Sequence, residues 1–249
     1  MSRIRLDQAI EARGLLPSRS RARDAILRGT VTVNGVQASR PHQPVADSDS
    51  IAIDDPAARY VSRAALKLVA GLDAGGIAVE GKVCLDVGAS TGGFTQVLLE
   101  RGAARVHAVD VGHGQLDPAI GRDRRVVALE GVNARDLDVT IIAEPIDLLV
   151  CDVSFVSVTK VLAGPLSLCR PGADAVVLFK PQFEVGRMHV GKGGIVTDAI
   201  ATSLAEAEVE AFMTSAGWRL VQSLPAPIAG GEGNREIVKI FIRNNAVIA

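Results

Sequence analysis

The sequence of 249 residues lacks the features on which secreted, membrane-spanning and metal-binding proteins depend. Its three cysteines, Cys84, Cys151 and Cys169, lie far apart in apolar segments, which disfavours a disulfide framework and a cysteine-based zinc site. None of the four histidines has the spacing of a metal ligand. No apolar run approaches the roughly 20 residues that span a bilayer, and the first residues carry no secretory signal. We therefore expect a cytoplasmic protein without a metal or a membrane partner; its oligomeric state is open, and a monomer is compatible with the composition.

Lysine is also missing from the first sixty residues, although the whole chain has a net charge of −1. Residues 1–40 instead contain eight arginines against three acidic residues. A planar guanidinium binds phosphate through two hydrogen bonds and stacks on bases, so this surplus favours contact with nucleic acid over a merely solvated helix surface. The predicted RNA-binding residues of this region are Arg3, Arg5, Arg19, Arg21, Arg23 and Arg28.

The pattern of residues 1–58 predicts a small α+β domain. Two short amphipathic segments, 5–14 and 17–29, each end at a glycine, and a serine at 18 or 20 caps the second of them. Alternating apolar residues then flank Asn34-Gly35, a strong signal for a two-residue hairpin turn. Residues 49–54 predict one further strand.

This order of elements resembles the S-four domain, an RNA-binding module first seen in a protein of the small ribosomal subunit. The resemblance covers residues 3–54 and implies RNA contact through the second helix and the loop after it. It rests on Leu6, Asp7, Gly14, Ser20, Arg21, Ile26, Gly29, Val31, Val33, Asn34, Gly35 and the Ser-Arg-Pro at 39–41.

Beyond residue 58 the pattern changes to apolar strands that alternate with helical segments. Residues 59–249 predict a second domain, in which 59–80 form a linker and a first helix. Apolar strands separated by helices indicate a mostly parallel sheet covered on both faces, as in Rossmann-like α/β folds. Strands are predicted at 82–88, 105–112, 146–152, 174–180 and 236–242, and helices at 92–102 and 201–217.

A glycine-rich turn follows the first of these strands and predicts a cofactor site. The segment CLDVGASTGGF contains neither GxGxxG nor a Walker lysine, which disfavours a nucleoside triphosphate. Asp110 ends the next strand, where a carboxylate accepts hydrogen bonds from ribose hydroxyls. The pattern is similar to the first motif of S-adenosylmethionine-dependent methyltransferases, and that resemblance implies adenine near Asn133 and Ala134. The predicted cofactor-binding residues are Asp86, Gly88, Ala89, Ser90, Thr91, Gly92, Gly93, Phe94, Asp110, Asn133, Ala134 and Asp152.

Two lysines and two carboxylates, Lys67, Asp152, Lys180 and Glu236, lie at or near the predicted ligand-binding edge of this sheet. Lys180 ends an apolar strand and is followed at once by Pro181, which gives the chain a rigid exit. A lysine acts as a base only where desolvation or a neighbouring cation lowers its pKa, and Lys67 is a candidate for that cation. Ordinary ion pairing at strand ends explains the four residues equally well, so the residues alone leave both interpretations open.

The same four residues follow the order of the K-D-K-E set of FtsJ/RrmJ-like ribose 2'-O-methyltransferases. The segments VSRAALKL, LDVGASTGGFT, CDVSFVS, FKPQFEVG, VGKGGIVTD and GNREI resemble the haemolysin-A-like (TlyA) rRNA methyltransferases over nearly the whole chain. That resemblance implies S-adenosylmethionine-dependent methylation of a cytidine 2'-hydroxyl in ribosomal RNA or ribosomal subunits. It implies that Lys180 accepts the proton, that Lys67 assists it, and that Asp152 and Glu236 orient lysine and ribose. Arg235 departs from the smaller or uncharged residue of some relatives.

Residues 185–198 predict a mobile substrate loop, since they leave directly from the strand that ends in Lys180. The segment is rich in glycine, and its cations Arg187 and Lys192 are predicted to contact RNA phosphates. The alternative is a plain surface connection.

Other functions fit parts of the sequence less well. Amino methyltransferases use an Asp/Asn-Pro-Pro-aromatic turn, whereas residues 152–155 here are Asp-Val-Ser-Phe. Enzymes that methylate a pyrimidine carbon require a cysteine nucleophile, but Cys151 is expected to point to the face of its strand opposite to Asp152. A haemolysin would require a spanning segment or a long cationic amphipathic helix. An RNA-binding ribosome assembly factor with weak or no methyltransferase activity would not require the glycine turn and all four polar residues.

Overall fold

Two units of different architecture make up the chain, and a computed structural model describes residues 3–230 and 233–245. The first unit is Met1–Arg59 and the second is Tyr60–Ala249. Each unit has an apolar core of its own.

The first unit consists of two helices and short antiparallel strands. Ser18 caps the second helix, since its hydroxyl accepts the backbone N–H of Arg21 at 3.3 Å. Asn34 and Gly35 adopt positive φ angles of 52° and 78°, as a tight two-residue hairpin turn requires. The elements are β1 (Ile4–Arg5), α1 (Leu6–Ala12), α2 (Arg19–Leu27), β2 (Val31–Val33), β3 (Val36–Gln37), β4 (Pro44–Val45) and β5 (Ile51–Ile53).

The apolar faces of α1 and α2 form the core of this unit. Leu6, Ile10, Ala22 and Ile26 are fully buried, and they pack with residues of β2 and β4. The two predicted helices, the hairpin and the strand at 49–54 are confirmed. The pair β1–β4 was not predicted, because two residues are too few to show a period.

A seven-stranded sheet forms the centre of the second unit. Its strands are β6 (Val83–Val87), β7 (Arg105–Asp110), β8 (Val126–Glu130), β9 (Ile146–Cys151), β10 (Cys169–Phe179), β11 (Trp218–Pro225) and β12 (Ile237–Arg243). Across the sheet they follow the order β11-β12-β10-β9-β6-β7-β8. The five strands from β10 to β8 are parallel, whereas β12 is antiparallel to both of its neighbours. The predicted mostly parallel sheet is confirmed.

Helices cover both faces of this sheet. One apolar cluster joins α3 (Ala65–Gly75) and α4 (Gly93–Glu100) to the sheet through Leu68, Leu72 and Leu98. The other joins α8 (Ala199–Ser215) to the opposite face through Val209 and Met213. Strands buried on both faces read as continuous apolar runs, which is why the central strands were predictable. The helices are α3 (Ala65–Gly75), α4 (Gly93–Glu100), α5 (Pro118–Gly121), α6 (Ala163–Ser167), α7 (Pro181–Glu184) and α8 (Ala199–Ser215).

The two strands of the second unit that the sequence did not predict, β8 and β11, are the two edges of the sheet. Neither is fully buried along its length; β11 is largely exposed beyond Trp218. β11 has neither a continuous apolar run nor a clean alternation, and the apolar run of β8 at 126–129 is too short to tell a strand from a helical segment.

The antiparallel strand β12 has a direct consequence for the site. Ile237 at its start pairs with Phe179 at the end of β10. The residue before β12 therefore lies beside the residue after β10, at the edge where the parallel strands also end. We call this edge the carboxyl edge of the sheet.

Candidate active site

All four predicted reacting residues gather at the carboxyl edge. Asp152 follows β9, Lys180 follows β10, Glu236 precedes β12, and Lys67 lies in the first turn of α3. The sheet register makes Glu236 and Lys180 neighbours on adjacent strands. In open α/β sheets this edge is where ligands bind, so the position suits a reacting site.

Lys180 is held by the segment that follows β9. Its ammonium lies 2.7 Å from Asp152 Oδ1 and donates a hydrogen bond to Ser154 Oγ at 2.9 Å. The contact with Asp152 is an ion pair without hydrogen-bond alignment, since Oδ1 has no hydrogen-bond partner among the described residues. Lys180 is only 6% exposed, and it keeps the extended backbone (φ −119°, ψ 103°) that Pro181 imposes on the residue before it.

Lys67 forms a second buried pair, with Glu236. Its ammonium lies 2.5 Å from Glu236 Oε2, and the two side chains are 7% and 3% exposed. A Cβ atom at Gly230 would lie 2.4 Å from Glu236 Oε1, so glycine there leaves room for the carboxylate. Each lysine therefore has a carboxylate of its own, and Lys67 is paired with Glu236 rather than left as an uncompensated cation beside Lys180.

The glycine turn after β6 lies against the same segment. Gly88 has φ 86°, and a Cβ there would lie 3.0 Å from the carbonyl oxygen of Asp152, so the close approach of the two backbones requires glycine. Asp110 closes the other side of the turn. Its carboxylate accepts the backbone N–H of Ser90 and of Gly112, each at 2.8 Å.

A cavity of about 610 Å³ opens between these strand ends. Its size suits a nucleoside-sized ligand, and lone pairs of the Asp110 carboxylate remain to accept ribose hydroxyls. Of the predicted cofactor residues it is lined by Gly88, Ser90, Asp110, Asn133, Ala134 and Asp152. The lining also includes residues that sequence reasoning did not single out: Val87, Val109, Val111, Gly112, Gln115, Val132, Arg135, Val153, Ser154, Phe155, Val156 and Val161.

Asp86, another predicted cofactor residue, lies beneath the turn and is fully buried. Burial raises the pKa of its carboxyl to about 7; the hydrogen bond from Thr95 Oγ1 to Oδ2 at 2.7 Å opposes the rise, and the charge of Asp152 adds to it. Oδ1 is buried without a hydrogen-bond partner among the described residues. The remaining predicted residues do not line the cavity; Phe94 packs in the core, and the others are Ala89, Thr91, Gly92 and Gly93.

The segment after Asp152 holds two groups that the sequence analysis missed. Ser154 bonds Lys180, and Phe155 is 89% exposed with φ 66°, an unusual backbone for a bulky residue. The Phe155 ring contacts that of Phe183 at 5.2 Å between centroids. The available signals were their position after the strand-end Asp152 and the segment CDVSFVS, which resembles the haemolysin-A-like family.

Cys151 is excluded as a nucleophile. It is fully buried in β9, and burial raises the pKa of its thiol to about 12. A thiol in that state does not form the reactive thiolate at neutral pH.

The predicted RNA-binding arginines of the first unit differ in their surroundings. Arg5 and Arg19 both contact the buried carboxylate of Asp7, at 2.9 and 3.4 Å, and remain about half exposed. Arg28 is mostly buried between two carboxylates, and Arg21 donates to the carbonyl of Ala57. The side chains of Arg3 and Arg23 are exposed, as are those of Arg187 and Lys192 in the loop of the second unit.

Two families match the sequence, and together they cover most of it. Residues 60–241 match the FtsJ-like methyltransferase family, and residues 4–51 match the S4 domain. The first match covers well over half of the chain and the whole of the site described above.

Individual relatives agree with these matches. The chain is 44% identical over 235 residues to the 16S/23S rRNA (cytidine-2'-O)-methyltransferase TlyA of Mycobacterium tuberculosis. The aligned region covers 94% of this chain and 88% of the relative. A solved structure called "Putative hemolysin from Streptococcus thermophilus" has a TM-score of 0.76 and 33% identity, over 99% of this chain and 90% of that one.

A more distant structure shares the fold of the second unit. Magnesium protoporphyrin IX methyltransferase from Synechocystis PCC 6803, with bound SAH, has a TM-score of 0.52 at 13% identity, over 73% of this chain and 82% of that one. At this identity the likeness concerns the fold alone.

Proposed function

Because this chain belongs to the FtsJ-like methyltransferase family and carries an S4 domain, we propose that it methylates the 2'-hydroxyl of a cytidine in ribosomal RNA, with S-adenosylmethionine as the methyl donor. The observation that carries the proposal is the pairing of Lys180 with Asp152 and Ser154 beside a nucleoside-sized cavity. The relative from Mycobacterium tuberculosis, named for this reaction, supports the RNA and the cytidine.

The residues of the cavity fit S-adenosylmethionine. Asp110 would accept hydrogen bonds from the ribose hydroxyls, the backbone at Gly88 would allow close approach, and Asn133 and Ala134 would border the adenine. The buried, unpartnered Oδ1 of Asp86 is an acceptor beneath the turn that suits the amino group, directly or through water. When bound, the cofactor supplies an electrophilic methyl group.

The chain's own residues then act on the hydroxyl. Lys180 Nζ accepts the proton of the 2'-hydroxyl as the reaction proceeds, which makes the ribose oxygen the nucleophile. Asp152 and Ser154 hold Nζ in place and stabilise the ammonium that results. The Lys67–Glu236 pair supplies a fixed wall beside Lys180 and orients the ribose. Partial exclusion of water at these buried groups strengthens each of these interactions.

The reaction product tests the proposal directly. Ribosomal RNA from cells with and without the protein, digested to nucleosides and analysed by mass spectrometry, should differ by one or more 2'-O-methylcytidines. The purified protein should restore them with radiolabelled S-adenosylmethionine. A methyl group on a base atom, or no difference between the strains, would refute it.

We propose that residues 1–58 bind the RNA and that 59–249 carry out the reaction. Removal of residues 1–58 should weaken RNA binding by about 10- to 1000-fold at physiological salt and flatten its salt dependence, because phosphate contacts are lost. Calorimetry should find S-adenosylmethionine affinity unchanged. Equal RNA binding by the truncated protein would contradict this division.

Point variants separate RNA contact from structure within the first unit. Arg3→Gln with Arg23→Gln removes two exposed cations and should lower the slope of log affinity against log salt by about 1 per cation. Arg28→Gln is the matched control, because its guanidinium is mostly buried between Asp24 and Asp55. That variant should lower the melting temperature instead of changing the salt slope.

Asp110→Ala should weaken S-adenosylmethionine binding by about 10- to 100-fold, since two hydrogen bonds to the ribose and two to the turn are lost together. Titration calorimetry measures the change, and the exposed Asp136→Asn serves as control. Undiminished affinity in Asp110→Ala would remove Asp110 from the cofactor site.

The hemolysin name of the Streptococcus thermophilus structure raises a second function. Among residues 3–230 and 233–245, no helix has both the length and the apolar character to cross a membrane. Dye-filled liposomes mixed with the purified protein provide the test, and release of dye at nanomolar protein would establish a lytic activity beside the enzymatic one.

A further inference from the structure

Two short segments carry the groups around Lys180, and they meet at three points. The first segment, 152–158, follows β9; the second, 180–184, follows β10. Lys180 contacts Asp152 and Ser154, and Phe183 contacts Phe155, as described above. The third contact is made by Glu184 at the end of α7.

Glu184 binds the backbone of the first segment. Its Oε1 accepts the N–H of Val158 at 2.9 Å, and the Ser157 hydroxyl also hydrogen-bonds the carboxylate. Within the part of the chain that the structure describes, no cation forms an ion pair with it. A partly buried carboxylate carries a desolvation cost, and burial raises the pKa of Glu184. The hydrogen bonds from Ser157 and Val158 are the main interactions that offset this cost, and the charge of Lys160 adds to them.

The segment that Glu184 binds requires an anchor at each end. Phe155 in its middle has φ 66°, a conformation that persists for a bulky residue only where the surroundings impose it. At the start, the N–H of Asp152 bonds the carbonyl of Val87 in the sheet. At the end, the carboxylate of Glu184 holds Val158. Between these two anchors lie the two groups that contact Lys180.

We propose that Glu184 is a positioning residue for methyl transfer, which fixes segment 152–158 so that Asp152 and Ser154 meet the Lys180 amine. The inference rests on the proposed function, since it assigns Glu184 a part in that reaction. Lys180 directly precedes the short helix α7, and Glu184 is the last residue of that helix. The same short segment therefore carries the base and the side chain that aligns the groups around the base. Loss of the anchor lets the segment relax away from Lys180. Residues 152–156 also line the cofactor cavity, but Asp110, Asn133 and Ala134, which would hold the ribose and the adenine, lie outside the segment.

The test compares variants of the full chain in the methyl-transfer assay. Glu184→Ala should lower kcat by about 10- to 100-fold, because a small misplacement of reacting groups is costly, and should weaken S-adenosylmethionine binding by much less. Glu184→Gln keeps an acceptor oxygen and should retain kcat within a few-fold. Glu208→Ala, which removes a nearby exposed glutamate on α8, is the matched control and should be unchanged.

A double-mutant cycle with Ser154→Ala separates positioning from a general structural role. If Glu184 acts through the segment, Glu184→Ala should add little to the loss that Ser154→Ala causes alone. If the fold-losses in kcat of the two single variants multiply fully in the double variant, the inference is wrong. A normal kcat in Glu184→Ala would also overturn it. Where the alanine variant does not fold, Glu184→Asp withdraws the carboxylate by one methylene and should show the same loss; full activity there also overturns it. An inactive wild-type protein would instead refute the proposed function.

Discussion

Lys180→Ala is expected to lower methyl transfer by about 10²- to 10⁴-fold, the usual contribution of a positioned general base. The ammonium is nearly buried, lies 2.7 Å from Asp152 Oδ1 and donates a hydrogen bond to Ser154. Among the described residues, no other cation contacts these two groups, and none can replace Lys180 in the variant. S-adenosylmethionine binding should persist, because Lys180 does not line the cavity. Single-turnover kinetics on ribosomal RNA, with binding measured separately by calorimetry, checks both parts.

Lys180→Arg distinguishes a base from a fixed positive charge. Arginine keeps the cation but does not lose its proton at neutral pH, so this variant should be as inactive as Lys180→Ala. Lys82→Ala is the matched control, because Lys82 forms a similar pair with Asp174, 2.7 Å long, at the opposite end of the sheet. Wild-type turnover by either Lys180 variant would show that the proton goes elsewhere.

Asp86→Asn is expected to make the stability of the ligand-free protein less sensitive to pH. The folded pKa is about 7 and the ordinary value 3.8, so the unfolded chain loses this proton first as pH rises. Between pH 4 and 7 the native state binds more protons than the unfolded state, and the free energy of unfolding falls. Three pKa units correspond to about 4 kcal/mol, all of it lost by pH 8.

Urea unfolding from pH 4 to 8 measures this effect as a difference between variant and wild type. Relative to wild type, Asp86→Asn should gain up to about 4 kcal/mol as pH rises through this window, while binding S-adenosylmethionine more weakly. Asp136→Asn, on the surface, should track the wild type throughout. A pH-independent difference for Asp86→Asn would mean that the buried carboxyl titrates near its ordinary value.

The sequence was informative about the fold wherever burial was complete. The central strands read as apolar runs because both faces are covered, and they were predicted within a few residues. The edge strand β11 was missed because exposure removes that signal, and β8 was missed because its apolar run is only four residues long. The start of β10 was also missed, since its register shifts between Cys169 and Asp174 and breaks the pattern.

The site was predictable to the extent that strand ends define it. Asp110, Asp152 and Lys180 end or follow parallel strands, so a sheet places them together. The sequence does not predict which carboxylate forms an ion pair with which lysine, because the position of Glu236 depends on the antiparallel register of β12. The contacts of Ser154, Phe155 and Glu184 were not predicted, although CDVSFVS and FKPQFEVG contain these residues. A positive φ at Phe155 and a side-chain bond to a backbone amide 26 residues away leave no period in the sequence.

The Lys67–Glu236 pair also has a consequence for the order of events during protein synthesis. The two residues are 169 positions apart, so Lys67 leaves the ribosome long before its partner exists. Until β12 docks, the site has one unmatched lysine and an incomplete wall. Contacts between such distant residues form late, because closing a long loop costs entropy before it brings any stabilisation. The complete site is therefore expected to form late in folding, after β12 has been synthesised and has docked against β10.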